Sequence, residues 1–169
     1  CRRAKAAMVM STGSVYLPHD DPWHAYLETD PLGGAQLPAV PTYSVSKLGE
    51  EAVARSSARV LGLPVVIARM NSAYGANGGM PVYALDSVVA NRPVTARFDP
   101  SPYSVIHQDD VNEQTEAILS AASVPASVVN WGGDEPVSVQ EWSAYFGELA
   151  GRQATVSVVD APGTWRGVV

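Results

Sequence analysis

A chain of 169 residues, 46% hydrophobic and only 17% charged, is long enough to bury one sizeable core and excludes a disordered segment. Its net charge of −6 at pH 7 argues against nucleic acid or an anionic membrane as partner, since phosphate binding needs clustered Lys and Arg, and leaves a small molecule as the expected one. No apolar run reaches the roughly 18 residues of a bilayer span, no signal-peptide pattern opens the chain, and the single cysteine, Cys1, leaves no internal disulfide and no thiolate metal cluster, so the cytoplasm is the default location.

In chain order, residues 6–12 form a short apolar run that ends in small polar residues, as a buried parallel strand feeding a loop would. A polar segment rich in Pro and Gly follows over 18–42; it is long for a plain connection, and such loops often carry function. A helix is expected over 42–61, with Pro41 before it, apolar positions at Val45, Leu48, Ala52, Val53, Ser56 and Val60, an ion-pair spacing from Glu51 to Arg55, and Gly62 then Pro64 beyond its end. Residues 63–68 read as a second buried strand, ending at Arg69 in a small, polar loop over 71–79. Strand, helix, strand implies a parallel crossover, and ligands bind outside the carboxyl ends of such strands, so 11–14 and 70–75 are expected to border one crevice.

Further on, 80–90 is expected to be helical and 105–107 a short strand, and Asp109 or Asp110 is expected to cap a helix reaching about Ala121. Residues 128–131 suit a third core strand. Ser138-Val139-Gln140-Glu141 is a capping box that opens a helix to about Leu149, closed by Gly151, and 156–159 begin one more strand.

Only two lysines occur, and Lys47 lies four residues after Tyr43 in Tyr43-Ser44-Val45-Ser46-Lys47. On a helix that spacing puts both side chains on one face, where an ammonium can favour the phenolate. A free phenol, with a pKa of about 10, is roughly one part in a thousand ionised at neutral pH, and lowering it by about 3 units takes on the order of 4 kcal/mol. A nearby cation, a helix N-terminus and a cationic cofactor could supply that together, which makes the pair a candidate general acid/base. Alone, the spacing is also what a solvated lysine lying along a tyrosine ring would leave.

Read together, the pieces resemble the extended branch of the short-chain dehydrogenase/reductase superfamily, the NAD-dependent epimerase/dehydratase-like proteins. The resemblance runs over nearly the whole chain. It is carried by Ser11-Thr12-Gly13-Ser14-Val15-Tyr16 after a strand, the Tyr43-x-x-x-Lys47 helix, Arg69 followed by Tyr74-Gly75, His107-x-Asp109-Asp110-Val111, and Asn130-Trp131-Gly132-Gly133 before Val137-Ser138-Val139. It implies an α/β fold: the C-terminal part of a Rossmann-type doubly wound parallel sheet over 1–133, interrupted by a substrate-lobe insertion at about 80–104, with part of a small α+β substrate lobe over 134–169. It implies hydride transfer between NAD or NADP and a small alcohol or carbonyl, with Tyr43 as general acid/base, Lys47 binding the nicotinamide ribose and lowering the tyrosine pKa, and Thr12 holding the same substrate oxygen. Ser11, Met70, Asn71 and Ser72 fall where the family lines the nicotinamide pocket, mostly through backbone. The family often forms helix-paired homodimers.

The departures are as informative. Sugar-nucleotide 4,6-dehydratases of the family carry Asp-Glu after the catalytic Thr, where Gly13 and Ser14 stand, so dehydration is not expected. Tyr103 stands where sugar-nucleotide epimerases usually place a diphosphate-binding arginine, for which Arg97 or Arg166 could compensate. The family usually has proline at Met70 and often asparagine at Ser72. Its Gly-rich phosphate-binding turn has no counterpart in these residues, and with Cys1 at the place of an initiator Met this points to a fragment whose beginning lies upstream and which binds cofactor poorly by itself. Two other readings stay open: a nucleoside-diphosphate-sugar epimerase, and a non-catalytic dinucleotide-binding sensor or scaffold. His107, Asp109 and Asp110, and the loop cluster His19, Asp20, Asp21 and His24, are read as caps and solvated polar groups rather than as a metal site.

Overall fold

The computed structural model describes residues 4–33, 40–159 and 167–169; Cys1 and Arg166 lie outside them. Its elements are β1 (Ala7–Thr12), a 3-10 turn (Gly13–Val15), α1 (Tyr43–Leu61), β2 (Val65–Met70), β3 (Ala73–Tyr74), α2 (Met80–Val89), β4 (Val94–Ala96), β5 (Pro102–Tyr103), β6 (Ile106–His107), α3 (Gln108–Ser120), β7 (Ser127–Trp131), β8 (Val137–Ser138), α4 (Val139–Ala150) and β9 (Val156–Val158).

The core is a parallel sheet in the order β1-β2-β7, with Ala7 paired to Val65 and Val66 to Ser127. Side chains alternate across a strand, so each strand feeds two layers. Ala7, Val9, Val65, Ile67 and Val128 pack with Ala54 and Ala58 of α1. Met8, Ala68, Met70 and Trp131 pack on the opposite face with Ile106 and with Val111 and Ile118 of α3. Helices on both faces explain why β2 is apolar at nearly every position. A further apolar cluster gathers Ala84 and Val88 of α2, Val94 and Ala96 of β4, Tyr103, and Val139 and Trp142 of α4, and reaches back to Tyr16 and Tyr26. There β4 pairs with β9 in parallel and β5 with β8 in antiparallel fashion, outside the core sheet.

Several boundaries differ from the expectation. The second strand continues through Arg69 to Met70, because Arg69 finds a buried partner. The expected strand at 105–107 is Ile106–His107, paired with β3 rather than joined to the core sheet. His107, not Asp109 or Asp110, caps α3: its Nδ1 accepts the Asp109 N–H at 3.2 Å, and the two aspartates occupy the first turn, where the helix dipole favours them. The expected apolar stripe of α1 faces outward, with Val45 63%, Val53 66% and Val60 79% exposed, while Ser44, Glu51, Ala54 and Ala58 are buried. Small side chains let this helix lie close on the sheet, and a buried ion pair supplies the rest of the contact. Gly62 ends α1 at φ +60°, donating its N–H to the Ala58 carbonyl. No helix among the described residues is long and apolar enough to cross a membrane.

Candidate active site

The next-to-last residues of the three core strands fall in register: Ser11 opposite Arg69, and Arg69 opposite Asn130. Two-residue alternation sends all three toward the α1 layer and closes its apolar packing with a polar row. Arg69 binds Glu51 through Nε at 2.9 Å and Nη2 at 2.8 Å, and Ser11 Oγ donates to the same carboxylate at 2.6 Å. Arg69 Nη1 donates to Tyr16 Oη at 3.0 Å, and Tyr16 Oη donates to Asn130 Oδ1 at 2.5 Å. Burial pushes the Glu51 carboxyl up, but the bonds from Arg69 and Ser11 outweigh it and hold it below the ordinary glutamate value. Burial also raises the Tyr16 phenol, against the pull of Arg69. Arg55, the expected partner of Glu51, reaches it only at 3.6 Å and is secondary. The signal for the true partner was an arginine ending an apolar strand, since a buried charge requires an opposite one.

Above this row, the turn after β1 and the start of α1 share one cleft. Thr12, Ser14, Tyr43 and Ser72 line it from the core side, and Met80, Thr95, Ala96, Arg97, Ser101, Tyr103 and Val139 from the other, around about 410 Å³. Thr12 and Ser72 sit at the carboxyl ends of β1 and β2, so the crevice expected between 11–14 and 70–75 is present. Tyr43, 39% exposed, opens α1 at the cleft, and its hydroxyl has no hydrogen-bond partner among the described residues. Ser44 Oγ donates to Ser14 Oγ at 3.1 Å, and Ser14 Oγ lies 3.3 Å from Thr12 Oγ1. Either hydroxyl of the Ser14–Thr12 pair can donate, and where Ser14 donates to Thr12 the Thr12 proton is left for the cleft. Ser44 was not singled out from the sequence, and Ser14 was read only as part of the turn after the strand; the signal for their contact is position, one in that turn and one beside Tyr43.

The other sequence-predicted positions divide. Lys47 Nζ donates to the Met10 carbonyl and to Glu50 Oε2, both at 2.7 Å, and keeps a third N–H. Glu50 escaped the sequence reading although its i, i+3 spacing from Lys47 was visible. The Ser11 hydroxyl is committed to Glu51 on the α1 face. Met70 packs in the α3 layer. Asn71 Nδ2 donates to the Gly167 carbonyl at 2.6 Å, and its Oδ1 accepts the Ser72 N–H at 2.7 Å. Ser72 Oγ lies 3.2 Å from Met80 Sδ at the cleft wall. His19 and His24 stack at 4.0 Å, His24 pairs with Asp30 at 2.9 Å, and no group of three or more His, Cys, Asp or Glu among the described residues is placed to hold a metal.

No protein-family model matches the chain, and no curated protein matches it in sequence. Solved structures do match. UDP-glucose 4-epimerase of Thermus thermophilus, solved with NAD, superposes with a TM-score of 0.76 at 21% identity, over 97% of this chain and 55% of that one. UDP-glucuronic acid 4-epimerase of Bacillus cereus, with UDP-glucuronic acid and NAD, gives 0.77 at 22% identity over 95% and 51%. dTDP-glucose 4,6-dehydratase of Bacillus anthracis, with NAD, gives 0.77 at 19% identity over 97% and 52%. The chain has the Rossmann-type fold of these enzymes and spans about half their length.

Proposed function

We propose that the whole protein is an NAD(P)-dependent oxidoreductase of the extended short-chain type, acting on a small alcohol or carbonyl with Tyr43 as general acid/base. The observation that carries this reading is the convergence of the Tyr43 phenol and Thr12 on one cleft, at the carboxyl ends of parallel strands. Bound nicotinamide would supply the hydride acceptor or donor, and NAD, present in the three enzymes that share the fold, is the form favoured. The residues suit its nicotinamide end: the free N–H of Lys47 would hold the ribose, and the backbone of Ser11, Met70, Asn71 and Ser72 would line the ring, their side chains being largely engaged elsewhere. Tyr43 exchanges a proton with the substrate oxygen, and the Thr12 hydroxyl, oriented through Ser14 and Ser44, fixes that oxygen beside the phenol.

The substrate lobe in this reading comprises the insertion at about 80–104 and residues 134–169. A homodimer paired through helices belongs to the same reading and is supported by the outward Val45, Val53 and Val60 of α1. A nucleoside-diphosphate-sugar epimerase is the second reading, favoured by two of the enzymes that share the fold.

The test is Tyr43→Phe in the whole protein: turnover falls by about 10²- to 10⁴-fold, the range of general acid/base catalysis, while cofactor affinity is nearly unchanged. Unchanged turnover removes the mechanism, and substrate conversion without net consumption of NADH or NADPH moves the assignment to the epimerase.

A further inference from the structure

Among the described residues, the cleft that holds Tyr43 and Thr12 is lined by hydroxyls, apolar groups and one cation, Arg97, just beyond the end of β4. The other basic groups near the core are committed: Lys47 to Met10 and Glu50, and Arg69 to Glu51 and Tyr16. Arg97 is half-buried and makes no ion pair or hydrogen bond with the described residues. Among the described residues no carboxylate lines the cleft beside it. An arginine held at a cleft wall without an acid to neutralise it presents its donor fork to whatever enters, and that fork matches the paired oxygens of a carboxylate or phosphate. Its field already reaches the cleft wall: burial pushes the Tyr103 phenol up, and Arg97 is among the groups that pull it back. The setting sharpens this, because the net charge of −6 on this chain disfavours anions in general and a local cation facing the opening offsets that there.

We propose that Arg97 is the specificity residue of the cleft and that the substrate is a hydroxy or carbonyl compound bearing an anionic carboxylate or phosphate group, which Arg97 binds. This rests on the reading of the cleft as the substrate chamber. Tyr103, stacked on Trp142 at 6.2 Å between ring centroids, forms the apolar wall against which the carbon skeleton lies.

The test is a set of three-carbon probes that share a skeleton, namely glycerol, glycerate and glycerol 3-phosphate, titrated into the whole protein with tryptophan fluorescence as the readout. Glycerate or glycerol 3-phosphate is expected to bind at least about tenfold more tightly than glycerol, and the preference between them tells which anion the fork takes. Arg97→Met is expected to remove that advantage while leaving glycerol binding as it was, Arg97→Lys to restore part of it, and added salt to weaken only the anionic probes. Tyr43→Phe acts on the hydroxyl end that all three probes share and so leaves the ratio of anionic-probe to glycerol affinity in place while turnover falls, so failure of the oxidoreductase reading and failure of this one are separable. Equal binding of the three probes, no binding of any, or an Arg97→Met variant that still prefers the anion overturns the assignment.

Discussion

Glu51 carries more of this molecule than its place on a helix suggests. It is buried, takes two bonds from Arg69 and one from Ser11, and so ties α1 to the ends of two strands. A buried pair of this kind adds little over a well-packed apolar pair, but removing one partner strands the other. Glu51→Gln is expected to cost about 3–5 kcal/mol at neutral pH, measured by urea unfolding. The pH dependence has a definite sign. Because the folded pKa lies below the ordinary 4.5, the contribution of the pair is complete above that value and is lost as pH falls through the folded pKa. The gap between wild type and Glu51→Gln should therefore narrow on acidification below 4.5, and a constant gap would mean that the carboxylate charge contributes nothing. The sequence showed the Tyr43 to Lys47 spacing and the strand ending at Arg69, yet not the Arg69 to Glu51 pair, because a contact across 18 residues leaves no local spacing to read.

Helix ends were the most legible features at the next scale, since caps are local chemistry. The capping box of α4 is present in full: Ser138 Oγ accepts the Glu141 N–H at 3.1 Å, and Glu141 Oε2 accepts the Ser138 N–H at 2.8 Å. Ser138→Ala is expected to cost about 1 kcal/mol, read as a lowered urea midpoint with unchanged slope. The orientation of α1 was not legible. Its apolar positions trace a stripe as regular as a core-facing one, but the packed face is built from Ser44, Ala54 and Ala58, whose small size suits close approach to the sheet rather than a hydrophobic count. The cap of α3 misled for a related reason. Asp109 and Asp110 are commoner capping residues than His107, yet the cap lies at His107, two or three residues earlier, and leaves them in the first turn.

Across the whole molecule, the alternation of strand, helix and strand was enough to place a crevice at the ends of β1 and β2. The short pairs β3 with β6, β4 with β9 and β5 with β8 were not: β6 and β9 were expected as strands, but β3, β4, β5 and β8, two or three residues long, have no periodicity to detect. The parallel sheet has one further consequence. Among the described residues β1 has a partner strand only on its β2 side, and the Ala7 N–H donates to the Pro64 carbonyl at 2.9 Å. By alternation Val9 and Ser11 also turn their amides inward, while Met8, Met10 and Thr12 turn theirs outward, and the Met10 carbonyl on that outer side is the one Lys47 grips. Deuterium uptake along this strand should therefore keep a two-residue beat, fast at Met8, Met10 and Thr12 and slow at Ala7, Val9 and Ser11. Any ligand or chain segment that pairs with the edge would silence the fast half of that rhythm and leave the slow half untouched.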